Sequence, residues 1–262
     1  MSKGSRPDDE LRFRPQPGKP QQRGQPFVNQ VLRQANKAGT GKPRKAGHQP
    51  GARLGRGHVA LAADVAEEAA VIRMVGDTLE QLGRLDVLVN NAGIGDPQRP
   101  TLEQDVATFD RILAVHLKGS FTASREAARA MAESGGGAIL NLASIAGLTG
   151  LPRRNAYGAA KAGIVAMTRG MACEWAGQGV RVNAIAPGYV RTALVAKLEA
   201  EGRLDGAKIR RRIPMGRLAE PEELAEAAWF LCSPAASYIT GTVLSVDGGW
   251  MAFGDAGDAS AG

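Results

Sequence analysis

The sequence predicts an α/β fold in which helices cover a doubly wound parallel sheet, and three observations favour it. Strand-like and helix-like segments alternate from about residue 59 to residue 250, an order typical of right-handed βαβ units. Hydrophobic side chains make up 44% of the 262 residues, enough to bury one core. Aromatic residues make up only 5%, while there are 34 glycines, which suits closely packed helices better than a β-sandwich.

The spacing of the apolar residues predicts each element in turn. The predicted strands cover residues 58–65, 85–93, 137–144, 180–188 and 242–249. The predicted helices cover residues 66–83, 102–132, 154–177, 192–211 and 221–232. Glycines follow several of these helices and mark their ends.

Residues 1–58 differ in composition from the rest of the chain. They contain 13 of the 33 Lys and Arg residues, 3 of the 26 Asp and Glu residues and 7 of the 14 prolines, so the net charge of +7 originates here. Only residues 26–38 show helical apolar spacing. We therefore expect a mostly disordered basic arm with one short helix over residues 1–58, an α/β domain over 59–254 and a disordered tail over 255–262.

Simple counts exclude several classes of protein. The two cysteines, Cys173 and Cys232, lack metal-ligand spacing, so we predict neither a metal site nor a disulfide framework. The N-terminus lacks the apolar segment of a signal peptide, and no apolar run reaches the roughly 18 residues of a membrane span. These observations favour a cytoplasmic protein without membrane contact.

The motif NAYGAAKAG places Tyr157 and Lys161 four residues apart on a predicted helix. This spacing puts both side chains on one face, where a lysine cation favours the phenolate and lowers the tyrosine pKa. Such a tyrosine can exchange a proton with a carbinol oxygen. Ser144 ends a predicted strand at the sheet edge where ligands bind, and its hydroxyl can hold a substrate carbonyl. Taken alone, the Tyr–Lys pair is more often a solvated face than a catalytic pair.

Further motifs accompany this pair in a fixed order. NNAG follows one predicted strand, twelve residues separate Ser144 from Tyr157, RVNAIAPGYVRT covers the next strand, and GRLAEPEELAEAAWFLCSPAASYITGTVLSVDGGW closes the domain. Over about residues 59–250 the chain closely resembles the short-chain dehydrogenase/reductase family. The resemblance implies a Rossmann-like fold, NAD or NADP as cofactor, and hydride transfer to or from a small carbonyl or alcohol substrate.

The resemblance also implies a role for each motif residue. Ser144, Tyr157 and Lys161 would form the catalytic triad, with Tyr157 as the general acid in reduction and the base in oxidation. Lys161 would also bind the nicotinamide ribose. The remaining cofactor contacts would come from Asp64, Val65, Asn90, Ala92, Gly93, Pro187, Gly188, Val190 and Thr192. Taken alone, the NNAG and APG loops would be explained by turn chemistry.

Two other segments gain an interpretation from the family. The long helices over 102–132 and 154–177 would pair subunits in a homodimer or homotetramer. The segment LVAKLEAEGRLDGAKIRRR lies where the family carries its substrate lid. The arginines at 210–212 are a weak indication of an anionic substrate, and we favour a solvated face instead.

One position departs from the family pattern. The segment AVHLKGSF has His116 where the family usually has an asparagine, which kinks a helix and helps to hold a water on the lysine. A histidine can retain part of this role through its backbone carbonyl, so we include His116 among the candidate catalytic residues. The competing interpretation is a half-buried structural histidine, which we favour over a new catalytic role.

Gly51, Gly55 and Gly57 have the spacing of the family's phosphate-binding turn but not its surroundings. The family turn follows a buried strand and opens a helix, whereas a polar segment containing proline precedes these glycines. Only six residues separate Gly57 from Asp64, too few for a helix and a second strand. We therefore expect that the first two strands and their helices are missing, and that NAD or NADP binding is impaired.

In the family's sheet the missing first strand lies beside the strand predicted at 85–93. This strand is therefore expected either to pair with residues 58–65 or to keep an open edge.

The head itself resembles the basic N-terminal leader of plasmid-transfer relaxases, through DDELRFRPQPGKPQQRGQPFVNQVLRQANKAG followed by PGARLGRGH. No relaxase catalytic tyrosine or metal-binding histidine cluster follows it, so the resemblance implies a gene fusion near residues 57–59. Three functions therefore compete: a short-chain oxidoreductase, a catalytically silent truncated fusion product, and weak, non-specific nucleic-acid association through the arm at residues 1–58.

Overall fold

A computed structural model describes residues 58–202, 204–255 and 257–260 of the chain. The helices are α1 (Glu68–Leu82), α2 (Val106–Leu113), α3 (Gly119–Glu133), α4 (Asn155–Trp175), α5 (Ala193–Ala200), α6 (Gly206–Arg212) and α7 (Pro221–Cys232). The strands are β1 (Val87–Asn90), β2 (Gly137–Leu142), β3 (Val180–Pro187) and β4 (Val243–Val246). Apart from His58, the expected arm over residues 1–58, with Gly51, Gly55 and Gly57, lies outside the described residues.

The four strands form one parallel sheet in the order β1-β2-β3-β4. α1, α3 and α4 pack on one face, where Leu88 and Ile139 are buried against Met131. α7 packs on the other face, where Leu231 is buried in a cluster with Leu140. Helices on both faces of a parallel sheet are the doubly wound α/β arrangement that the sequence predicts, and the prediction is confirmed.

Local sequence signals explain where two of these helices begin or end. Gly83 follows α1 in a left-handed conformation (φ 79°), and its amide donates to the carbonyl of Leu79, so the helix ends where glycine avoids strain. Glu220 and Glu223 form a reciprocal capping box before α7, and Pro221 opens its first turn. Within the described ranges, no helix combines the length and apolarity that a membrane crossing needs.

The helix predicted over residues 102–132 is divided in the structure. α2 and α3 are joined by a π-helical turn over Ala114–Lys118, which contains His116. A π-helical turn interrupts the regular hydrogen-bond pattern and changes which side chains face a neighbouring element. The helix predicted over residues 192–211 is also divided, into α5 and α6.

The strand predicted over residues 58–65 is wrong. Within the described part of the chain this segment pairs with no strand, and Leu61, Ala63 and Val65 pack instead on the apolar cluster formed by α1 and α3. Apolar alternation reports a half-buried extended face and not a hydrogen-bonding neighbour. The sequence leaves two arrangements for β1, which either pairs with residues 58–65 or keeps an open edge. Within the described residues, β1 keeps an open edge.

The composition of residues 255–262 predicts disorder, and the structure describes residues 255 and 257–260 of this segment. The carboxylate of Asp258 lies 3.4 Å from the guanidinium of Arg211. The amides of Ala259 and Ser260 donate to the carbonyl oxygen of Arg211. These contacts place residues 258–260 against α6.

Candidate active site

Residues from three of the predicted motifs meet at the carboxyl edge of the parallel sheet. Asn90 is the last residue of β1, Ser144 follows β2, and Pro187 ends β3. Loops leave a parallel sheet at this edge and helices begin beside it, so ligands bind there in doubly wound folds. α4 packs against β3 and against the short turn that follows Ser144, which brings its first half to the same edge.

The structure brings Ser144, Tyr157 and Lys161 together. The Ser144 hydroxyl acts on the Tyr157 hydroxyl and lowers its pKa, and the Nζ atom of Lys161 lies 5.5 Å from the centre of the Tyr157 ring. A Cβ atom at Gly147 would lie 2.6 Å from the carbonyl carbon of Lys161, so glycine is needed for this close approach to α4.

Burial dominates the electrostatics of this group. Burial raises the pKa of Tyr157, against the opposing effects of the Ser144 hydrogen bond and the positive charge of Arg154. Lys161 is 6% exposed, and burial lowers its pKa from 10.5 to about 8. Its ammonium donates to the carbonyl oxygen of Leu142 at 2.5 Å. The lowering of the Tyr157 pKa expected from Lys161 is therefore wrong: Lys161 is not among the groups that act on this pKa, and burial raises it.

His116 is 3% exposed and lies between the NNAG loop and Tyr157. Its Nε2 atom lies 3.1 Å from the amide nitrogen and 3.0 Å from the carbonyl oxygen of Ile94, and the tautomer decides which of them it bonds. Its ring meets the Tyr157 ring edge-on. A Cβ atom at Gly93 would lie 2.6 Å from the imidazole Cε1, which explains a glycine in this loop.

The charge state of His116 follows from its surroundings. Burial lowers its pKa from 6.5 to about 4, with a smaller contribution from the charge of Lys161, so the imidazole is neutral at pH 7. Its backbone carbonyl accepts the Ser120 hydroxyl at 2.7 Å, and its Nδ1 atom has no hydrogen-bond partner among the described residues. His116 is thus a buried neutral side chain that positions the loop and the tyrosine ring.

Asn90 belongs to a chain of buried polar side chains beneath the site. Its amide nitrogen donates to the Ser124 hydroxyl and to the Asn141 side-chain oxygen, each at 2.8 Å. Asn141 in turn donates to the Thr168 hydroxyl at 2.9 Å. The chain connects β1 and β2 with α3 and α4, so Asn90 acts on the site by holding the loop that begins after it.

Three of the predicted cofactor residues, Val65, Asn90 and Ala92, line one groove beside the open edge of β1. The cavity volume of this groove is about 30 Å³, and its other lining residues include Leu61, Met74 of α1 and Ala123 of α3. The exposed carboxylate of Asp64 is already engaged, since it accepts the Ala66 amide and the Arg111 guanidinium, each at 3.0 Å.

The residues expected beside the nicotinamide follow β3. The amide of Gly188 donates to the carbonyl of Val246 at 3.0 Å, so the β3–β4 pairing extends into this loop. Val190 forms an isolated bridge with Ala219, and Thr192 caps α5 by accepting the Val195 amide. The loop is therefore held at both ends, and Pro187 and Gly188 lie at the end of the strand next to the one that precedes Ser144.

The residues of the site fit the nicotinamide and ribose of the cofactor but not its phosphates. The amine of Lys161, the hydroxyl of Tyr157 and the backbone groups after β3 are the donors and acceptors that a ribose and a carboxamide need. Among the described residues, no glycine-rich helix start adjoins the groove. α1 begins with Glu67 and Glu68, whose carboxylates disfavour an anion at that helix end.

Two charged side chains beside Tyr157 are not predicted by any motif. The guanidinium of Arg154 lies 5.8 Å from the centre of the Tyr157 ring, and the charge of Asp96 raises the pKa of Tyr157. The Oδ1 atom of Asp96 accepts the Gln98 amide at 3.0 Å, and its Oδ2 atom is buried without a partner in the described ranges. The sequence points to Arg154 only through the two adjacent arginines in PRRNAY.

The arginines at 210–212 contact other residues of the chain. They belong to the segment that the resemblance assigns to a substrate lid. They form the contacts Arg210–Glu199 (2.9 Å), Arg211–Asp258 (3.4 Å) and Arg212 to the carbonyl oxygen of Phe253 (2.7 Å). The weak indication of an anionic substrate therefore receives no support from this cluster.

Comparison with known proteins identifies the family. The family profile adh_short_C2, described as enoyl-(acyl carrier protein) reductase, matches residues 35–251. An uncharacterized short-chain type dehydrogenase/reductase, y4vI, of Sinorhizobium fredii is 47% identical over 209 residues. The chain belongs to the short-chain dehydrogenase/reductase family. The alignment with y4vI covers 80% of this chain and 38% of that relative, so the chain spans well under half of its length.

Two other family members have named reactions. Cis-4-hydroxycyclohexanecarboxylate dehydrogenase of Sinomonas cyclohexanicum is 46% identical over 198 residues, which cover 75% of this chain and 78% of the relative. Galactitol 2-dehydrogenase (L-tagatose-forming) of Cereibacter sphaeroides is 44% identical over 192 residues, which cover 72% and 74%.

Solved structures of family members superimpose on the described fold. A putative short-chain alcohol dehydrogenase of Sinorhizobium meliloti 1021 is 43% identical, with a TM-score of 0.71 over 76% of this chain and 79% of that one. ElxO with NADP bound is 34% identical, with a TM-score of 0.70 over 72% of this chain and 77% of that one. The Rossmann-like fold and the family predicted from the motifs are confirmed.

Proposed function

We propose that this short-chain dehydrogenase/reductase is an NAD(P)-dependent oxidoreductase that transfers a hydride to or from a small carbonyl or alcohol substrate. The observation that carries this proposal is the arrangement of Ser144, Tyr157 and Lys161 at the carboxyl edge of the sheet, with Lys161 5.5 Å from the Tyr157 ring centre and Ser144 acting on the Tyr157 hydroxyl. The named dehydrogenase reactions of two relatives and the NADP complex of ElxO support it.

When bound, the cofactor supplies the hydride chemistry. Ser144 and Tyr157 bind the substrate oxygen, and Tyr157 gives a proton to that oxygen in reduction or accepts one in oxidation. Lys161, with a pKa near 8, supplies positive charge beside the phenol and a donor for the nicotinamide ribose. His116 positions the Tyr157 ring and the loop after β1.

We further propose that the cofactor is held through its nicotinamide and adenosine ends, with weak contacts to its phosphates. Among the described residues, α1 begins with Glu67 and Glu68, and a polar, proline-containing stretch of sequence precedes the glycines at 51, 55 and 57. Asp64 and Val65 would contact the adenine. A comparison of the affinities for the two cofactors in a titration gives the preference between NAD and NADP.

Titration with NADH and NADPH, followed by energy transfer from the tryptophans to the nicotinamide, tests this proposal. We expect saturable binding with a dissociation constant in the upper part of the range from about 1 μM to 1 mM. The G55A/G57A double variant should bind equally well. Micromolar binding that the glycine variant abolishes would refute the weak-phosphate proposal, and the absence of binding by a folded chain would refute the oxidoreductase proposal.

The second candidate function is a catalytically silent fusion between a relaxase-type leader and a reductase that lacks its first two strands. The specific observation in its favour is β1, which has no strand partner on its outer side within the described residues. Sequencing the locus tests it. An intact reductase reading frame that continues upstream across residues 57–59 would remove this candidate.

We also propose a homodimer or homotetramer formed through the outer faces of α3 and α4. The exposed residues of α4 include three alanines, Ala159, Ala162 and Ala166, and Phe121 on α3 is 44% exposed. A face of small residues allows a second helix to approach closely. Light scattering should give a dimer or tetramer mass for the wild type and a monomer mass for A162E.

For residues 1–58, the charge distribution supports weak and non-specific nucleic-acid association. DNA affinity that falls steeply with salt and disappears on deletion of residues 1–58 is the expected result. Salt-independent binding, or binding that survives the deletion, would refute it. We propose the cytoplasm as the compartment, in keeping with two free cysteines.

A further inference from the structure

Arg154 is a half-buried arginine without a partner beside the catalytic tyrosine. It immediately precedes α4, and its guanidinium carbon lies 5.8 Å from the centre of the Tyr157 ring. Among the described residues its side chain forms neither a hydrogen bond nor an ion pair. Partial burial of a cation is costly unless an anion or several acceptors compensate for the lost water.

The other half-buried arginines of the described chain do have such acceptors. Arg125 bonds the carboxylates of Glu68 and Glu126, and Arg181 donates to three backbone carbonyls near α7. The arginines of α6 are engaged as described above. Arg154 therefore differs from its counterparts in having its donors free at the one place where a substrate must bind.

The position of Arg154 indicates which part of a substrate it would meet. Its charge acts on the hydroxyls of both Tyr157 and Tyr189, so the guanidinium lies within electrostatic reach of both rings. Tyr189 lines a cavity of about 480 Å³ between α6 and the C-terminal segment, together with Lys208 and Trp250. A substrate whose reacting oxygen is held by Tyr157 has the guanidinium of Arg154 beside it.

The start of α4 adds to the attraction for an anion. The first turn of this 21-residue helix has no side-chain cap and no acidic residue, so its amides and the positive end of its dipole lie beside the arginine. The charge of Asp96 acts on Tyr157; this residue lies in the loop after β1 and has one oxygen engaged by the Gln98 amide.

We propose that Arg154 is a specificity-determining residue that selects substrates carrying an anionic group, a carboxylate in the first instance, several bonds away from the reacting carbon. The proposal rests on the proposed oxidoreductase function, because the substrate oxygen must lie at Tyr157. A guanidinium binds a carboxylate through two parallel N–H···O bonds, which fix the orientation of the substrate as well as its affinity.

The test compares two pairs of probes that differ only in charge: cis-4-hydroxycyclohexanecarboxylate with its primary amide, and 3-hydroxybutanoate with its primary amide. The proteins are the wild type, R154Q, R154K and R153Q. Arg153 is the exposed neighbour and provides the matched control, and R154K retains a charge if R154Q folds poorly. Each protein is assayed for kcat/KM with saturating NAD or NADP, and for carboxylate binding by thermal shift, which needs no turnover.

The ratio of kcat/KM between carboxylate and amide should be about 10 to 100 in the wild type, equivalent to one or two tenfold steps of affinity. It should fall to about 1 in R154Q, take an intermediate value in R154K and keep the wild-type value in R153Q. A wild type that treats acid and amide alike in both pairs, or an R154Q variant that keeps the preference, would overturn the proposal.

The binding measurement separates this proposal from the proposed function. If no protein turns over any probe, the oxidoreductase function fails, and the thermal shifts alone decide on Arg154. Carboxylate binding that is lost in R154Q and retained in R153Q supports the anion site. Carboxylate binding that is absent from the wild type, or unchanged in R154Q, overturns it.

Discussion

The ring of His116 meets the ring of Tyr157 edge-on, with the ring centres 5.3 Å apart and the planes at 89°. The same imidazole bonds the backbone of Ile94 through Nε2. One buried side chain thus connects the loop after β1 with the residue proposed to move the substrate proton. The family pattern has asparagine at this position, where this chain has an imidazole ring that contacts both Ile94 and Tyr157.

Replacing His116 by leucine should lower both stability and activity. The change leaves a backbone group of Ile94 without its partner, which costs about 1–3 kcal/mol, and it releases one side of the Tyr157 ring. We expect kcat to fall by about 10-fold in H116L, while H116N, which restores the family residue, loses less. Urea unfolding and steady-state kinetics measure both effects. Equal stability and kcat in H116L and the wild type would contradict the positioning role.

The buried imidazole should also make stability depend on pH. The pKa of His116 is about 4 in the folded state and near 6.5 in the unfolded state, so the unfolded chain binds more protons between these values. Its contribution is fully present above pH 6.5 and is lost as the pH falls toward 4, by at most about 3 kcal/mol. Unfolding free energies measured from pH 4 to 8 should therefore fall less steeply in H116N. Identical slopes would show that burial does not lower this pKa.

The buried amine of Lys161 should lower the free energy of unfolding. Its pKa is lowered to about 8 by burial, so removing the amine in K161M should raise the unfolding free energy at pH 7 by about 1–3 kcal/mol while abolishing turnover. In the wild type the unfolding free energy should rise as the pH increases from 8 to 10.5, because the unfolded chain then binds more protons. K161M should lack this rise. A K161M protein less stable than the wild type at pH 7 would contradict the account.

The buried chain through Asn90, Asn141 and Thr168 should be costly to interrupt. The N141A variant removes one hydrogen bond from each neighbour, although Asn90 keeps its bond to Ser124 and Thr168 its bond to the Ile164 carbonyl, and we expect a loss of about 1–3 kcal/mol in the free energy of unfolding. T168V, which removes only the last hydroxyl at nearly constant volume, should cost less. Urea denaturation measures both variants, and a loss below about 0.5 kcal/mol in N141A would show that the chain is not a stabilising connection.

Much of this fold can be predicted from the sequence because its periodicities are strong. The segments assigned to β1, β2, β3, β4 and α7 carry apolar runs or amphipathic spacing bounded by glycine, proline or acidic caps. The triad can be predicted because Ser144, Tyr157 and Lys161 belong to motifs whose order is itself informative. Their meeting at one sheet edge follows from the parallel topology.

Other features depend on information that periodicity does not contain. The segment at 58–65 has a strand pattern, but pairing depends on a neighbour that the described residues do not provide. The π-helical turn at His116 depends on side-chain packing around one residue. The proposed role of Arg154 depends on the absence of an acceptor among the described residues, which only the three-dimensional surroundings show.

Transfer of deuterium from the cofactor to a product tests the central claim most directly. The folded protein is incubated with millimolar NADH or NADPH, deuterated at C4 on either face, and with 4-oxocyclohexanecarboxylate, and the alcohol is examined by mass spectrometry. We predict deuterium at the carbinol carbon from one labelled face, and at least about 10²-fold less product from Y157F. A folded wild type that binds the cofactor and yields no deuterated alcohol, or a Y157F variant as fast as the wild type, would contradict the account.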